Sequence, residues 1–136
     1  MGGSYSGNPL ACVAALETIK LINTPEFLAR AEVIGQRLRA GLEELRAKHP
    51  DRIAEVRGLG PMLVIELVSD QSLTPDPALT QAVNAATLAR GLITIRAGLY
   101  SNCVRFLPPL NITDDQLDEA LNVLDDAFAE ALLAVS

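Results

Sequence analysis

Met62 to Val68 constrains the possible folds of this chain more than any other stretch. Leu63, Ile65 and Leu67 alternate with Val64 and Glu66, the period of two expected of a strand with one buried face. Ile53-Ala54-Glu55-Val56-Arg57 reads as a second short strand, and Gly58-Leu59-Gly60-Pro61 between the two as a turn. Two such runs joined by a turn predict an antiparallel hairpin.

The flanking segments change period. Pro9 to about Ile22 reads as a helix with a broad apolar surface, entered through Asn8 as cap and Pro9 at the first position. Thr24-Pro25-Glu26 restarts the chain as a second helix. Phe27, Ala31, Ile34, Leu38, Leu42 and Leu45 fall three or four apart along it, and Lys48-His49-Pro50 closes it, with His49 read as a cap. Ser69 to Pro77 is a polar loop. Ala78 to Arg90 is a third helix with Gly91 as its C′ residue. Leu92–Arg96 and Cys103–Leu107 read as two more strands, and Pro108-Pro109 stops the last of them. Thr113-Asp114-Asp115-Gln116 is a capping box, and Leu117, Leu121, Leu124 and Phe128 line one side of the helix that follows. The fold class is therefore α+β: a small, mainly antiparallel sheet with helices on one face.

With 136 residues there is room for one core, and at 49% hydrophobic the chain is globular; aromatics are only 4%, so aliphatic residues must fill the interior. A net charge of −6 with scattered cations argues against nucleic acid. No apolar run reaches the length of a membrane span, and no secretory signal is evident. Cys12 and Cys103 read as free thiols in a reducing compartment, so the expected location is cytoplasmic. One histidine and no cysteine cluster leave no expected metal site.

Few residues stand out for chemistry. Gly2-Gly3-Ser4-Tyr5-Ser6-Gly7 is a glycine-flanked hydroxyl loop running into a capped helix, either an ordinary turn or a place for a phosphate. Arg105, between Val104 and Phe106, points to the face opposite theirs. It is either a solvated arginine on the wet side of the sheet or a guanidinium that holds a carboxylate, and the pattern alone favours the former. Arg57 and Arg96 read as solvated or ion-paired, Glu66 as a water-facing carboxylate. Cys103 beside Arg105 is either a thiol of lowered pKa or, the favoured reading, a buried inert one. Tyr100 and Ser101 are loop residues that either line a cleft or make a turn. Lys20 and Lys48 are the only lysines, on or at the ends of polar helix faces, where an amine stays protonated; neither suits a Schiff base.

Taken together, three segments resemble one family. Gly2 to Ala11 is similar to the GGT-(Y/F)-x-G-N-P-(L/V)-A segment of class III, ω-type aminotransferases. Val56-Arg57-Gly58-Leu59-Gly60-Pro61-Met62 resembles that family's VRGLG-x-M hairpin. Gly98 to Leu110 resembles its G-x-Y-x-N-x-(I/V)-R-(F/L)-x-P-P-L segment, with the 4-aminobutyrate branch the nearest in flavour. The resemblance implies a fold-type I enzyme that uses pyridoxal 5′-phosphate (PLP) and works as a homodimer. Its substrates would be a small amino acid and a 2-oxo acid, with an amino group passing from an ω-amino acid to an acceptor such as 2-oxoglutarate.

The resemblance assigns roles residue by residue. Ser4 stands where the family has the threonine that binds the cofactor phosphate of the neighbouring subunit, and Gly3 lets the backbone approach that phosphate. Arg105 stands where the family's arginine grips the substrate α-carboxylate, which reverses the reading from pattern alone. The family's PLP lysine, its pyridine-pairing aspartate and its ring-stacking aromatic lie upstream of the first motif. The chain thus resembles an interdomain loop and helix (1–24) joined to a C-terminal small domain (25–136), contains no catalytic residue of its own, and is expected not to turn over alone. The rival substrate assignment is acetylornithine or ornithine. The rival class is a non-catalytic α+β module that binds carboxylates through Arg105.

Overall fold

Each helix starts where the residue chemistry places a start. The computed structural model describes residues 3, 5–69 and 72–135. Helix α1 (Pro9–Ile22) is capped by Asn8, whose side chain accepts from the N–H groups of Leu10 and Ala11. Helix α2 (Pro25–Lys48) starts at Thr24 and ends at His49, whose ring lies 4.9 Å from that of Phe128. Helix α3 (Pro77–Ala89) is capped by Asp76, and α4 (Asp114–Ala134) by Thr113 with both bonds of the capping box in place. Gly91 takes φ +84° just beyond α3, the conformation a C′ glycine supplies.

Between the helices run β1 (Ile53–Leu59), β2 (Met62–Leu67), β3 (Ile95–Ala97) and β4 (Cys103–Phe106). They form one antiparallel sheet of order β1-β2-β4-β3. The hairpin is tighter than its glycines suggest: Gly58 and Leu59 still pair with Leu63 and Met62, leaving only Gly60 and Pro61 to turn. A register shift between Ile53 and Glu55 adds one residue to β1, which lets Ile53 and Val56, three apart, both point inward. β1 is an edge strand, and Arg39 of α2 donates to its Val56 and Gly58 carbonyls at 3.4 and 2.9 Å.

β3 is shorter than the expected Leu92–Arg96 strand. Leu92 N–H bonds the Thr87 carbonyl, and the Thr94 hydroxyl bonds the side chains of Thr87 and Asn84. Residues 92–94 are thereby tied to the end of α3, and ladder pairing with β4 begins at Ile95.

The core lies on one side of the sheet. Ile53, Val56, Leu63, Ile65, Leu67, Val104 and Phe106 pack there against Ile34, Leu38, Leu42 and Leu45 of α2, Leu79 and Val83 of α3, and Leu117, Leu124 and Phe128 of α4. The α+β class, with helices on one face, is borne out. Helix α1 is the exception to this packing: it has no buried residue, touches only α2 among the elements, and leaves Leu10, Val13, Leu16, Ile19 and Leu21 exposed.

Ion pairs link α2 to α4. Arg30 holds Asp114 at 2.6 Å, and Arg37 holds Asp114 and Asp118, both at 2.7 Å. The hydrogen bond from Arg30 lowers the Asp114 carboxyl; burial opposes this, and the charges of Arg30 and Arg37 add to it. A carboxyl depressed on folding stabilises the fold above its unfolded pKa of about 3.9 and loses that contribution as pH falls through the lower folded value. Thermal melts from about pH 6 to pH 2 should therefore show Asp114→Asn less stable than the parent at the upper end and converging with it at the lower. A gap that stays constant with pH would mean that Asp114 acts by packing alone.

Candidate functional site

The face of the sheet away from the helices is where the polar strand residues collect. Alternation sets Glu55 and Arg57 of β1, Val64 and Glu66 of β2, Cys103 and Arg105 of β4, and Ile95 and Ala97 of β3 in two cross-strand rows. One row is Glu55, Glu66, Cys103 and Ala97; the other is Arg57, Val64, Arg105 and Ile95. An open cleft of about 350 Å³ lies over them, lined by Arg57, Gly58, Val64, Gly98, Cys103 and Arg105 among others.

The two arginines of the second row differ in their surroundings. Arg57 is half-buried and pairs with Glu66 and, at 3.0 Å, with Glu55. Burial works to lower its pKa, but the hydrogen bonds to Glu66 and Glu55 outweigh it and hold the guanidinium above its ordinary value. Glu66 is fixed in turn: Asn102, only 2% exposed, donates from Nδ2 to Glu66 Oε1 at 3.3 Å and to the Leu67 carbonyl at 3.1 Å. Arg105 is exposed, and its cross-strand neighbours are the apolar Val64 and Ile95. Among the described residues no hydrogen bond or ion pair engages its guanidinium. A planar five-donor cation standing between aliphatic side chains is suited to a carboxylate from outside the fold.

Cys103 corrects one of the two sequence readings. Burial pushes its thiol up, Glu66 adds to the effect, and the nearby Arg57 opposes it. The arginine at its sulfur is Arg57, with Nη2 at 3.6 Å, rather than Arg105. A Cβ at Gly98 would lie 2.8 Å from Sγ, so the loop closes down on the thiol, and Gly98 keeps φ +86° to do so. The buried inert reading holds. Iodoacetamide at neutral pH should label Cys12, which is exposed on α1, and spare Cys103 until denaturant is added. Equal labelling of both thiols in the native chain would contradict this packing.

The other sequence candidates distribute as follows. Gly3 is exposed in a turn, with its N–H bonded to Ser6 Oγ at 3.2 Å and its carbonyl accepting from Ser6 N–H at 2.9 Å. Ser4 lies outside the described residues. Among the described residues no hydrogen bond or ion pair joins the 3–8 loop to the sheet, so the structure does not bring Gly3 and Arg105 together. Lys20 and Lys48 are ion-paired on helix surfaces, to Glu17 and Asp125, and neither lines the cleft. Glu66 is not the water-facing carboxylate the alternation suggested. The pairing that gives it a role is implicit in the hairpin register: Arg57 faces Val64, which places Glu66 diagonally across from a cation. Among the described residues no cluster could hold a metal ion, and no helix is long and apolar enough to cross a membrane.

Comparison with known proteins gives one answer. The aminotransferase class-III family model matches residues 1–128. The 4-aminobutyrate aminotransferase of Escherichia coli K12 is 43% identical over 132 residues, 96% of this chain and 31% of that protein. The 5-aminovalerate aminotransferase of Pseudomonas putida is 40% identical over 130 residues, with 96% and 30% covered. Among solved structures, a transaminase with L-alanine matches the whole chain and 32% of its own, with TM-score 0.86 and 31% identity. An N-acetylornithine aminotransferase from Stenotrophomonas maltophilia matches 96% of this chain and 33% of its own, with TM-score 0.79 and 32% identity. The chain thus spans about a third of the length of the proteins it matches, and its sheet and helices superpose on that third. With matched residues running through the loop, the hairpin and β4, this chain belongs to the class III aminotransferase family.

Proposed function

We propose that this chain is the C-terminal portion of a PLP-dependent transaminase, with residues 1–24 an interdomain loop and helix and 25–136 the small domain. The reaction moves an amino group from an ω-amino acid of the 4-aminobutyrate type to a 2-oxo acid such as 2-oxoglutarate. The observation that carries the reading is Arg105, an unengaged guanidinium on an open sheet face, in a chain whose other cleft arginine is already neutralised. Arg105 binds and orients the substrate carboxylate. The match to N-acetylornithine aminotransferase keeps acetylornithine or ornithine as the rival amino donor.

The loop before α1 suits the cofactor phosphate. It is exposed along its described length, and a Cβ at Gly3 would meet only Ser6 Oγ, at 3.7 Å, so none of the described loop residues crowds an oxyanion approaching Gly3. Asn8 already occupies the first N–H groups of α1, and Ser6 Oγ accepts from the Gly3 N–H, so Gly3 contributes room for the phosphate and not a free donor. The Ser4 hydroxyl would hold it on the neighbouring subunit of a homodimer, with Gly3 leaving the backbone open to its approach. PLP, when bound, supplies the electron sink for amino transfer; the residues of this chain bind and orient.

The test is a graft. The chain replaces the matching segment of the Escherichia coli 4-aminobutyrate aminotransferase, and transfer from 4-aminobutyrate to 2-oxoglutarate is assayed with added PLP. The graft should transaminate within about tenfold of the parent enzyme, a barrier difference of ~1.4 kcal/mol, while the purified 136-residue chain shows no turnover. A folded, PLP-loaded graft without activity would overturn the reading.

A further inference from the structure

Two arginines flank Val64 in one cross-strand row, and both line the same cleft. Their backbones are two strand spacings apart, roughly 10 Å, and arginine side chains are long enough to converge on one small molecule from there. Left to themselves they would make a site for two carboxylates. Glu66 prevents this. Its Oε2 pairs with Arg57, while Asn102 holds its other oxygen from a buried position. Glu55 adds a second partner to Arg57, but that carboxylate is 55% exposed and screened by water. Among the described residues the cleft is therefore left with one uncommitted cation, Arg105.

We propose that Glu66 is a specificity-determining residue: by neutralising Arg57 it sets the cleft to hold one carboxylate, at Arg105, rather than two. This rests on Arg105 being the carboxylate-binding group. The arrangement goes beyond structural ion pairing because its consequence falls on a particular class of ligand. Removing the Glu66 charge frees Arg57 to reach the far carboxylate of a dicarboxylate, whereas a monocarboxylate can engage only one of the two guanidinium groups at a time. Glutamine at this position keeps the shape and an acceptor oxygen for Asn102, so the change is one of charge.

The experiment is an NMR titration of the 136-residue chain with butyrate, which has one carboxylate, and with glutarate and adipate, which have two, observing the arginine Nε–H signals. In the parent chain both kinds of ligand should shift Arg105 and leave Arg57 still. In Glu66→Gln the dicarboxylates should shift Arg57 as well, with the same saturation curve. Their affinity relative to butyrate should rise by about two- to fivefold, the scale of one partly exposed ion pair. Adding Arg57→Gln to that variant should return the ratio to the parent value. An unchanged ratio in a folded Glu66→Gln chain, with Arg105 still titrating, overturns the proposal and leaves the Arg105 reading intact. Arg57→Gln alone tests the same point without touching Glu66: a fall in the parent's dicarboxylate preference would mean that Arg57 already binds ligand, which also overturns it. If no ligand moves Arg105, the underlying reading fails and this one with it.

Discussion

Arg105→Ala should raise the KM of the grafted enzyme for its carboxylate substrates by two to three orders of magnitude. The guanidinium offers a bidentate pair of charge-assisted hydrogen bonds, each contributing about 1.5–3 kcal/mol, and truncation removes both. Because Arg105 is exposed, the low end of that range applies, and a loss of roughly 3–4 kcal/mol corresponds to a factor of about 10² to 10³ in affinity. Arg105→Lys restores the charge but not the planar fork, so it should recover only part of the loss. Arg105→Ala should leave stability within about 0.5 kcal/mol of the parent, because Arg105 is exposed and no described residue is left unpaired by its removal. Steady-state kinetics and urea unfolding on the same preparations give both numbers. A KM within about twofold of the parent would remove Arg105 from the site, since a twofold change is only ~0.4 kcal/mol. A large loss of stability would instead make it a structural arginine.

That contrast shows which parts of the site were legible in the sequence. Helix starts are written in single residues: Asn8, Thr24 and Thr113 cap the helices they precede, and a cap is a local bond that needs no knowledge of the rest of the chain. Strand alternation likewise placed Leu63, Ile65 and Leu67 inward and Arg105 outward before any tertiary contact was known. The start of β3 was not legible, because the hydroxyl bonds that hold Thr94 to α3 join residues seven and ten apart and leave no periodic trace. The role of Glu66 was hidden for a related reason. A carboxylate in a strand looks solvated until the register puts Arg57 diagonally opposite and Asn102, from a loop thirty-six residues on, behind it. Cys103 was misread only in which arginine it meets: adjacency along the chain pointed to Arg105, whereas the sheet brings Arg57 from the far strand to its sulfur.

Gly58→Ala should be the most destabilising conservative change in the hairpin, at about 3–5 kcal/mol. Gly58 sits at φ +140°, a region that residues with a Cβ scarcely enter, and forcing one there costs on the order of 1–3 kcal/mol. The space is also filled. A Cβ would lie 2.1 Å from the Met62 carbonyl oxygen and 2.9 Å from Leu63 Cα, and both are backbone of the paired strand. No rotamer change relieves that contact; β1 and β2 must part at the Gly58–Leu63 and Leu59–Met62 pairs, each ladder bond contributing about 1 kcal/mol. Parting them also displaces Leu63, which is 1% exposed in the core. Gly60→Ala, two residues along in the turn, is the control: Gly60 also has positive φ, at +53°, but a Cβ there meets nothing within 4 Å, so only the conformational cost of about 1–2 kcal/mol remains. Urea unfolding should separate the two variants by about 2 kcal/mol; equal costs would mean that the Met62 carbonyl yields easily and the hairpin is looser than its register implies. The comparison also bears on the site, because Gly58 follows Arg57 and lines the same cleft. A hairpin prised open at Gly58 would withdraw Arg57 from Glu66, so Gly58→Ala should disturb the Arg57 Nε–H signal while Gly60→Ala leaves it in place.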